Sequence, residues 1–490
     1  MLTTLLIVVP LAGALLVWVL PLSRESTGGL ALMAALAEVG LWIGGARNFD
    51  FSSDLQQFST DREWFSELGI SYAVGLYGFQ YWLVGLTVVV GAAAIGYGIW
   101  AGRERARAYF GLMLFLVGSL VGVFAAQDLI LFYVFFEAML IPIYVLVGVW
   151  GGPARIRATV TFVLYTMAGS LLMLASIIAF GISQGTFLLS EIGTSSNEWV
   201  FLGFLAAFAV KAPLLPFHGW LRSAYTEAPP EVAAILSGVV SKAAVFGLVW
   251  IVLPHFPEPV EDFRELVLVL AAATLVYGSV LAFRQPDIRG VIAYSSMAQM
   301  GLIVLGIFAV NDLGLDGAVL HSVNHGLVSA GLFLLAAMVE TRTGTGVFSQ
   351  LGGMAKGRPI LATLVMSLGM FTLAVPGSAN FAGEFAILAG VFGRGWGYAA
   401  VGAAAIVLAA LYALRLISAI LHERRGGAVR EPGVEGAGDL VSGELALVVP
   451  LLAILVVLSA WPAAISERSF PADEPAAFIS TQGEGGFGAG

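Results

Sequence analysis

The chain has no cysteine, only three lysines among its 490 residues, and just 11% charged side chains of any kind. The missing cysteine excludes iron–sulfur ligation and cysteine zinc sites. Soluble domains carry about 25% charged residues, so a chain this poor in charge is not built for water. No glycine-rich phosphate fingerprint lies between a strand and a helix, and Gly344-Thr345-Gly346 is only a loop fragment. The net charge of −9 comes mostly from loops and gives no reason to expect nucleic acid. The expectation is therefore a chain with no cofactor and no metal site. If it serves a redox enzyme, the electrons move in other subunits.

What is abundant is apolar sequence, 59% of the chain and spread over its whole length. About 20 apolar residues span a bilayer, and on that rule about fourteen spans can be placed. They lie near 2–20, 28–46, 76–101, 110–127, 129–150, 159–181, 199–221, 229–253, 265–283, 290–309, 317–339, 360–392, 398–421 and 442–463. The first has no basic residue before it and no cleavage pattern, so it reads as a retained span and not as a signal peptide. The fold class is thus an all-α polytopic membrane bundle.

Arginine and lysine set the orientation of such a bundle. Fifteen of them, among them Arg24, Arg103, Arg105, Arg107, Arg289, Arg342 and Arg358, follow odd-numbered spans. Five, Arg47, Arg62, Arg264, Arg394 and Arg468, lie on the other side. The odd loops are expected in the cytoplasm and both termini outside, as befits a cell inner membrane. The acidic segment 50–67 suits the outer face.

Two spans are broken. One reads Val210-Lys211-Ala212-Pro213-Leu214-Leu215-Pro216, the other Val375-Pro376-Gly377-Ser378-Ala379-Asn380. Proline removes a backbone donor and glycine loosens the helix, and freed backbone groups in a bilayer must face protein or water. The breaks fall five spans apart, so the units holding them have opposite topology. That pattern points to two inverted five-helix repeats around an ion pathway. The expected organisation is flanking helices over 1–109, a first repeat over 110–253, a second over 254–421, and a cytoplasmic loop, last span and tail over 422–490.

Lys211, Lys242 and Arg415 are the cations inside spans, and Arg415 lies near a helix end where it can snorkel. Arginine holds its proton at any accessible pH, whereas buried lysine changes its protonation readily. Lys211 and Lys242 therefore read as proton carriers; the plain alternative is that each neutralises a buried carboxylate. Glu137 sits mid-span and needs a partner, for which Lys211 is the natural candidate. The alternative is a static buried pair of little stabilising value. Glu384 follows the second break, either as a proton carrier or as a cap on the half-helix there. His321 and His325, four apart, share one helix face with Asn324, Ser322 and Ser329 nearby, a stripe suited to proton relay. A two-histidine metal site is the rival there. His218 reads as an entry group or a surface histidine, Asp128 as a helix cap, and Glu38 stays unassigned.

At these residues the chain resembles a known family. Phe135-Phe136-Glu137-Ala138-Met139-Leu140-Ile141-Pro142-Ile143-Tyr144 with Gly148-Val149-Trp150-Gly151-Gly152 is similar to the chain M signature of proton-translocating NADH:quinone oxidoreductase, respiratory complex I. Lys211-Ala212-Pro213-Leu214-Leu215-Pro216-Phe217-His218 resembles the broken-helix motif of the wider antiporter-like family. The stretches 287–296 and 376–385 match as well. The resemblance implies that Glu137 and Lys211 are a coupled pair, Lys242 the central channel lysine, His325 a relay histidine and Glu384 the terminal carboxylate. Glutamate at 384 points to chain M, where sister chains tend to carry lysine. Gln299 departs from the pattern, because the family often has histidine there. Glutamine orients water but does not ionise, so either water bridges that step or His321 helps.

The expected function is that of a proton-translocating membrane-arm subunit driven by quinone reduction elsewhere in the complex. Sister antiporter-like subunits and the lipid bilayer are the expected partners. The segment Ala228-Pro229-Pro230-Glu231 through Ser241 also resembles multi-subunit Na+/H+ antiporters, which stand as an alternative beside a membrane-bound hydrogenase pump and a passive structural spacer.

Overall fold

The computed structural model describes residues 1–431, 434 and 436–470. The end of the 422–490 unit beyond residue 470 lies outside the described residues. The chain is a bundle of helices, and 12 of those described are long and apolar enough to cross a membrane. The N-terminal group comprises α1 (Leu2–Val19), α2 (Arg24–Ala46), α3 (Gly78–Trp100) and α4 (Ala106–Ala125). Small residues set its close crossings: a Cβ on Gly13 would meet Ala34, and one on Gly118 would meet Pro10 and Leu11. Such contacts are what holds helices together in lipid, where burial alone gives no drive.

Between α2 and α3 the sequence reading missed an antiparallel hairpin, β1 (Gln57–Phe65) and β2 (Ile70–Leu76), with Thr60 opposite Val74 and Arg62 opposite Tyr72. It turns through Gly69 at φ +65°, a left-handed conformation that glycine adopts without penalty. The hairpin covers helix ends: Thr3 donates to the Phe58 carbonyl, and Val74 bridges Ala126.

Next come α5 (Leu129–Ala138) and α6 (Leu140–Trp150), one span interrupted at Met139. Pro142 has no N–H for the Ala138 carbonyl, which accounts for the interruption just past Glu137. Asp128 is the N-cap expected of it, accepting from the Ile130 and Leu131 amides at 2.8 and 3.0 Å. Then follow α7 (Arg155–Gln184), α8 (Glu198–Lys211) and α9 (Leu221–Glu227), with the first break between the last two. Short α10 (Pro230–Ile235), α11 (Lys242–Gly247) and α12 (Leu253–His255) are joined by π-helical turns at Leu236–Val240 and Leu248–Val252 into one span. Then come α13 (Pro257–Arg284), α14 (Ile288–Phe308) and α15 (Asp312–Thr343). Short α16 (Pro359–Thr372) and α17 (Ala379–Phe392) flank the second break, and α18 (Trp396–Leu421), α19 (Ser442–Ala460) and α20 (Ala463–Ser469) finish the described chain.

Several helices run beyond the apolar stretches: α13 starts at Pro257, not near 265, and α15 runs Asp312–Thr343, not 317–339. Hydropathy marks the hydrocarbon core, while the helical hydrogen bonds continue past it. The central stretches of the span Pro230–His255 and of α15 are wholly enclosed by other helices, whereas α1, α2 and α19 leave most of their surface outside. The enclosed pair forms the axis on which the polar residues lie.

Candidate functional site

At each break several freed backbone groups find side-chain partners. After α8 the Val210 carbonyl, left without a helical amide, accepts from the Trp220 indole at 3.0 Å, and the Leu215 amide finds the Thr274 hydroxyl at 2.9 Å. After α16 the chain passes through Gly377 at φ +91°, and Ser378 caps α17 by accepting from the Phe381 amide. The Ala379 amide bonds Ser459 and its carbonyl accepts from Asn324, both inside the bundle. The cap of α17 is thus Ser378 and not Glu384, and Asn324 serves the break and not a histidine. These partners answer part of the bilayer's demand that no backbone group be orphaned.

Around the first break the site is aromatic. Lys211 is buried, and its ammonium has no hydrogen-bond partner among the described residues. It lies over the faces of Phe136 and Phe162, at 4.9 and 5.8 Å from the ring centres. Ring faces carry negative charge and attract a cation. No direct ion pair with Glu137 is formed: Glu137 Oε1 is buried without a partner among the described residues. Beyond Lys211 toward the axis, Phe132 packs on Phe208 and Phe246 with ring centres 6.3 and 5.5 Å apart. His218, past the break, is half-buried with its ring edge-on to Tyr277 at 5.4 Å.

Around the second lysine the site is polar. Lys242 is fully buried, and its ammonium donates to the Ser237 carbonyl at 3.0 Å and to the Ser241 hydroxyl at 3.3 Å. The π-helical turn just before it leaves the Ser237 carbonyl available to side chains. There α15 crosses so closely that a Cβ on Gly238 would lie 2.9 Å from the Gly326 carbonyl. That approach brings the Ser237 hydroxyl to Ser329 at 2.5 Å and to Ser296 at 2.9 Å, and Ser296 reaches His325 Nε2 at 3.1 Å.

The His321 and His325 rings, one turn apart, stack with centres 6.2 Å apart and no hydrogen bond between them. His321 Nε2 bonds the Gln299 side-chain oxygen at 2.7 Å, and the Gln299 amide donates to Glu384 Oε1 at 3.1 Å. A Cβ on Gly383 would lie 2.8 Å from the His321 Cβ, so α17 presses against α15 where Glu384 must arrive. Gln299, the departure from the family pattern, is therefore the bridge between His321 and Glu384. Ser322, by contrast, bonds its own helix at the Ala318 carbonyl.

Sequence reasoning missed the serine line through Ser237 and Ser296, because no spacing rule links residues on three helices. It also missed Glu231, fully buried at the start of α10. Glu231 takes a two-pronged bond from Arg103 at 2.6 and 2.7 Å and another from the Tyr109 hydroxyl at 2.5 Å. A carboxylate beside Pro229-Pro230 at a span end was a possible signal for it. Glu38 is also fully buried, with both oxygens lacking a protein partner among the described residues.

Fold and site together define a polytopic antiporter-like membrane protein with two broken spans and a line of buried ionisable groups. Residues 126–411 match the family model described as NADH:quinone oxidoreductase/Mrp antiporter, TM. NADH-quinone oxidoreductase subunit M of Mycobacterium tuberculosis is 36% identical, over 95% of this chain and 92% of that protein. A chain of respiratory complex I from Thermus thermophilus superposes over 100% of both chains, with TM-score 0.87 and 29% identity. A chain of the Mrp complex from a Dietzia species has the same fold, with TM-score 0.83 at 21% identity over 98% of this chain and 97% of that one. The chain belongs to the NADH:quinone oxidoreductase/Mrp antiporter membrane family.

Proposed function

We propose that the chain is the chain M type, proton-translocating membrane-arm subunit of a NADH:quinone oxidoreductase, seated among sister antiporter-like subunits and carrying no redox centre of its own. The observation that carries this is the buried polar line from Lys242 through Ser237 and Ser296 to His325, continued by His321, Gln299 and Glu384. Ionisable groups inside a bilayer are costly, and a structural helix bundle has no need of them. Lys242 holds the proton at the centre, the histidines relay it, and Glu384 releases it. Glu137 and Lys211 set the central lysine's charge state from a distance: movement of the field at Lys211 biases Lys242. Subunit M relatives, together with glutamate at 384, favour this reading over a sodium/proton antiporter.

The reading extends to organisation. The broken spans lie in two inverted units, 110–253 and 254–421, flanked by 1–109 and 422–490. The protein sits in the cell inner membrane with the arginine-rich loops in the cytoplasm and both termini outside.

The experiment is a pair of substitutions at Lys242, read as NADH-driven proton uptake in membranes matched for assembled complex. Lys242→Arg keeps a cation that cannot release its proton, and Lys242→Ala removes both. The expected result is that both assemble and neither pumps well. Near-normal uptake with arginine would reduce Lys242 to a fixed charge and refute the relay.

A further inference from the structure

The hydrogen-bonded line has two gaps: Lys242 bonds the Ser237 carbonyl and not the Ser237 hydroxyl, and between His325 and the His321–Gln299 pair the rings stack without bonding. A small cavity of about 10 Å³ opens beside that step, walled by His325, Gln299, Asn380 and Tyr412 among others. That is about the volume one water needs. Two of its polar walls are unspent. The Tyr412 hydroxyl and the Asn380 side-chain oxygen are both buried, in residues 1% and 2% exposed, and neither makes a hydrogen bond of ordinary geometry among the described residues, although the Gln299 side chain lies beside the Tyr412 hydroxyl. Tyr412 comes from α18 and Asn380 from the second turn-break helix α17, so two elements converge on one void. Leaving either group unsatisfied in a buried site is costly. Nothing in the packing of an inert bundle calls for a tyrosine hydroxyl there, since phenylalanine would fill the same space.

We infer that Tyr412 and Asn380 hold a water at this bend, and that the water and the Tyr412 hydroxyl carry the proton across the step that no ionisable side chain spans. The water accepts from His325 and donates to the Asn380 oxygen and to the Tyr412 hydroxyl oxygen, with the Gln299 side chain completing its shell. A buried water ordinarily makes about three such bonds. Transfer is a relay in which each oxygen gives up one proton as it receives another. His325 gives its proton to the water, the water passes a different one to Tyr412, and Tyr412 passes its own toward Glu384, which Gln299 holds on the far side of the step. Every bond broken is matched by one formed, and no other reactant is needed. Gln299 orients the receiving end but cannot itself take the proton. Tyr412 thereby supplies what a histidine at position 299 would supply.

This inference rests on the proton-translocating reading, and the test separates the two. In the assembled complex, Tyr412→Phe keeps the ring and removes the hydroxyl. Proton uptake per complex is expected to fall on the order of tenfold, since losing one positioned proton-transfer group costs at least that. Adding Gln299→His to Tyr412→Phe is expected to restore most of the uptake, because an ionisable group then spans the step. A purely structural tyrosine would show neither the loss nor that rescue. Wild-type uptake in Tyr412→Phe overturns the inference, as does a loss that Gln299→His leaves unchanged. If the phenylalanine variant does not assemble, a high-resolution density map of the wild-type complex decides. Water within hydrogen-bond distance of both the Tyr412 hydroxyl and the Asn380 oxygen supports the site, and its absence sinks it. Failure here with Lys242→Arg still inactive would leave the pump reading intact.

Discussion

The two lysines of this chain sit in opposite surroundings. Lys211 has aromatic faces and no hydrogen bond, whereas Lys242 has a carbonyl and a hydroxyl within reach and a line of serines beyond. A cation over rings is held by a diffuse field and can be displaced by a nearby carboxylate. A cation bonded to oxygens has somewhere to send a proton. On the proposed reading, the difference teaches that the charges in one membrane chain divide labour: the aromatic half responds to charge, and the polar half conducts.

The comparison breaks first at Lys242. Alanine there should reduce NADH-driven proton uptake on the order of a hundredfold per assembled complex, the usual cost of losing a positioned proton-transfer group. A decrease confined to the amount of complex, with uptake per complex unchanged, would show Lys242 to be packing alone.

Gln299→Leu is the next most damaging. It leaves the His321 Nε2 and the Glu384 carboxyl without their common partner, a loss of about 1–3 kcal/mol in a buried site. Both lower complex yield and impaired uptake are expected, and normal values of both in blue-native gels and vesicle assays would mean the bridge is incidental. Glu384→Gln should impair uptake and Glu384→Asp retain part of it.

Glu137→Gln tests the aromatic half. It keeps shape and removes the field at Lys211, so uptake should fall by roughly tenfold at the effective dielectric of a protein interior. The polar half should be untouched, and complex yield should match wild type. If Glu137→Gln pumps normally, Lys211 is not under its control. Phe136→Leu sharpens the same point at smaller scale. A ring face under a desolvated cation contributes about 0.5–2 kcal/mol, so a change of about threefold in uptake is expected. The equivalent loss at Ser296, Ser296→Ala, should be smaller still where a water can take the hydroxyl's place.

Much of this was legible in the residues. Lys211 beside Pro213 and Pro216 announced a buried cation at a broken span, and Pro376-Gly377 announced the second break. Asp128 before an apolar run announced a cap. Lys211 was legible as the natural partner of Glu137, but the absence of a direct bond between them was not, because two charges on different helices have no spacing rule between them. The hairpin over 57–76 was obscured by the acidic residues before it. Glu231 was read only as part of a motif, since its partner Arg103 lies far away in sequence and was counted among loop cations.

The sequence by itself determined the membrane class, the positions of both breaks and the identity of the ionisable groups inside the spans. These follow from local chemistry: hydropathy along one helix, a missing amide at proline, a titratable side chain in lipid. Only the tertiary structure decided which of those groups touch. The Gly238–Gly326 crossing, the press of Gly383 against His321 and the π-helical turn before Lys242 fix distances of a few ångströms between residues far apart in the chain. Hydrogen bonds switch on and off over that range, so connectivity waits for packing.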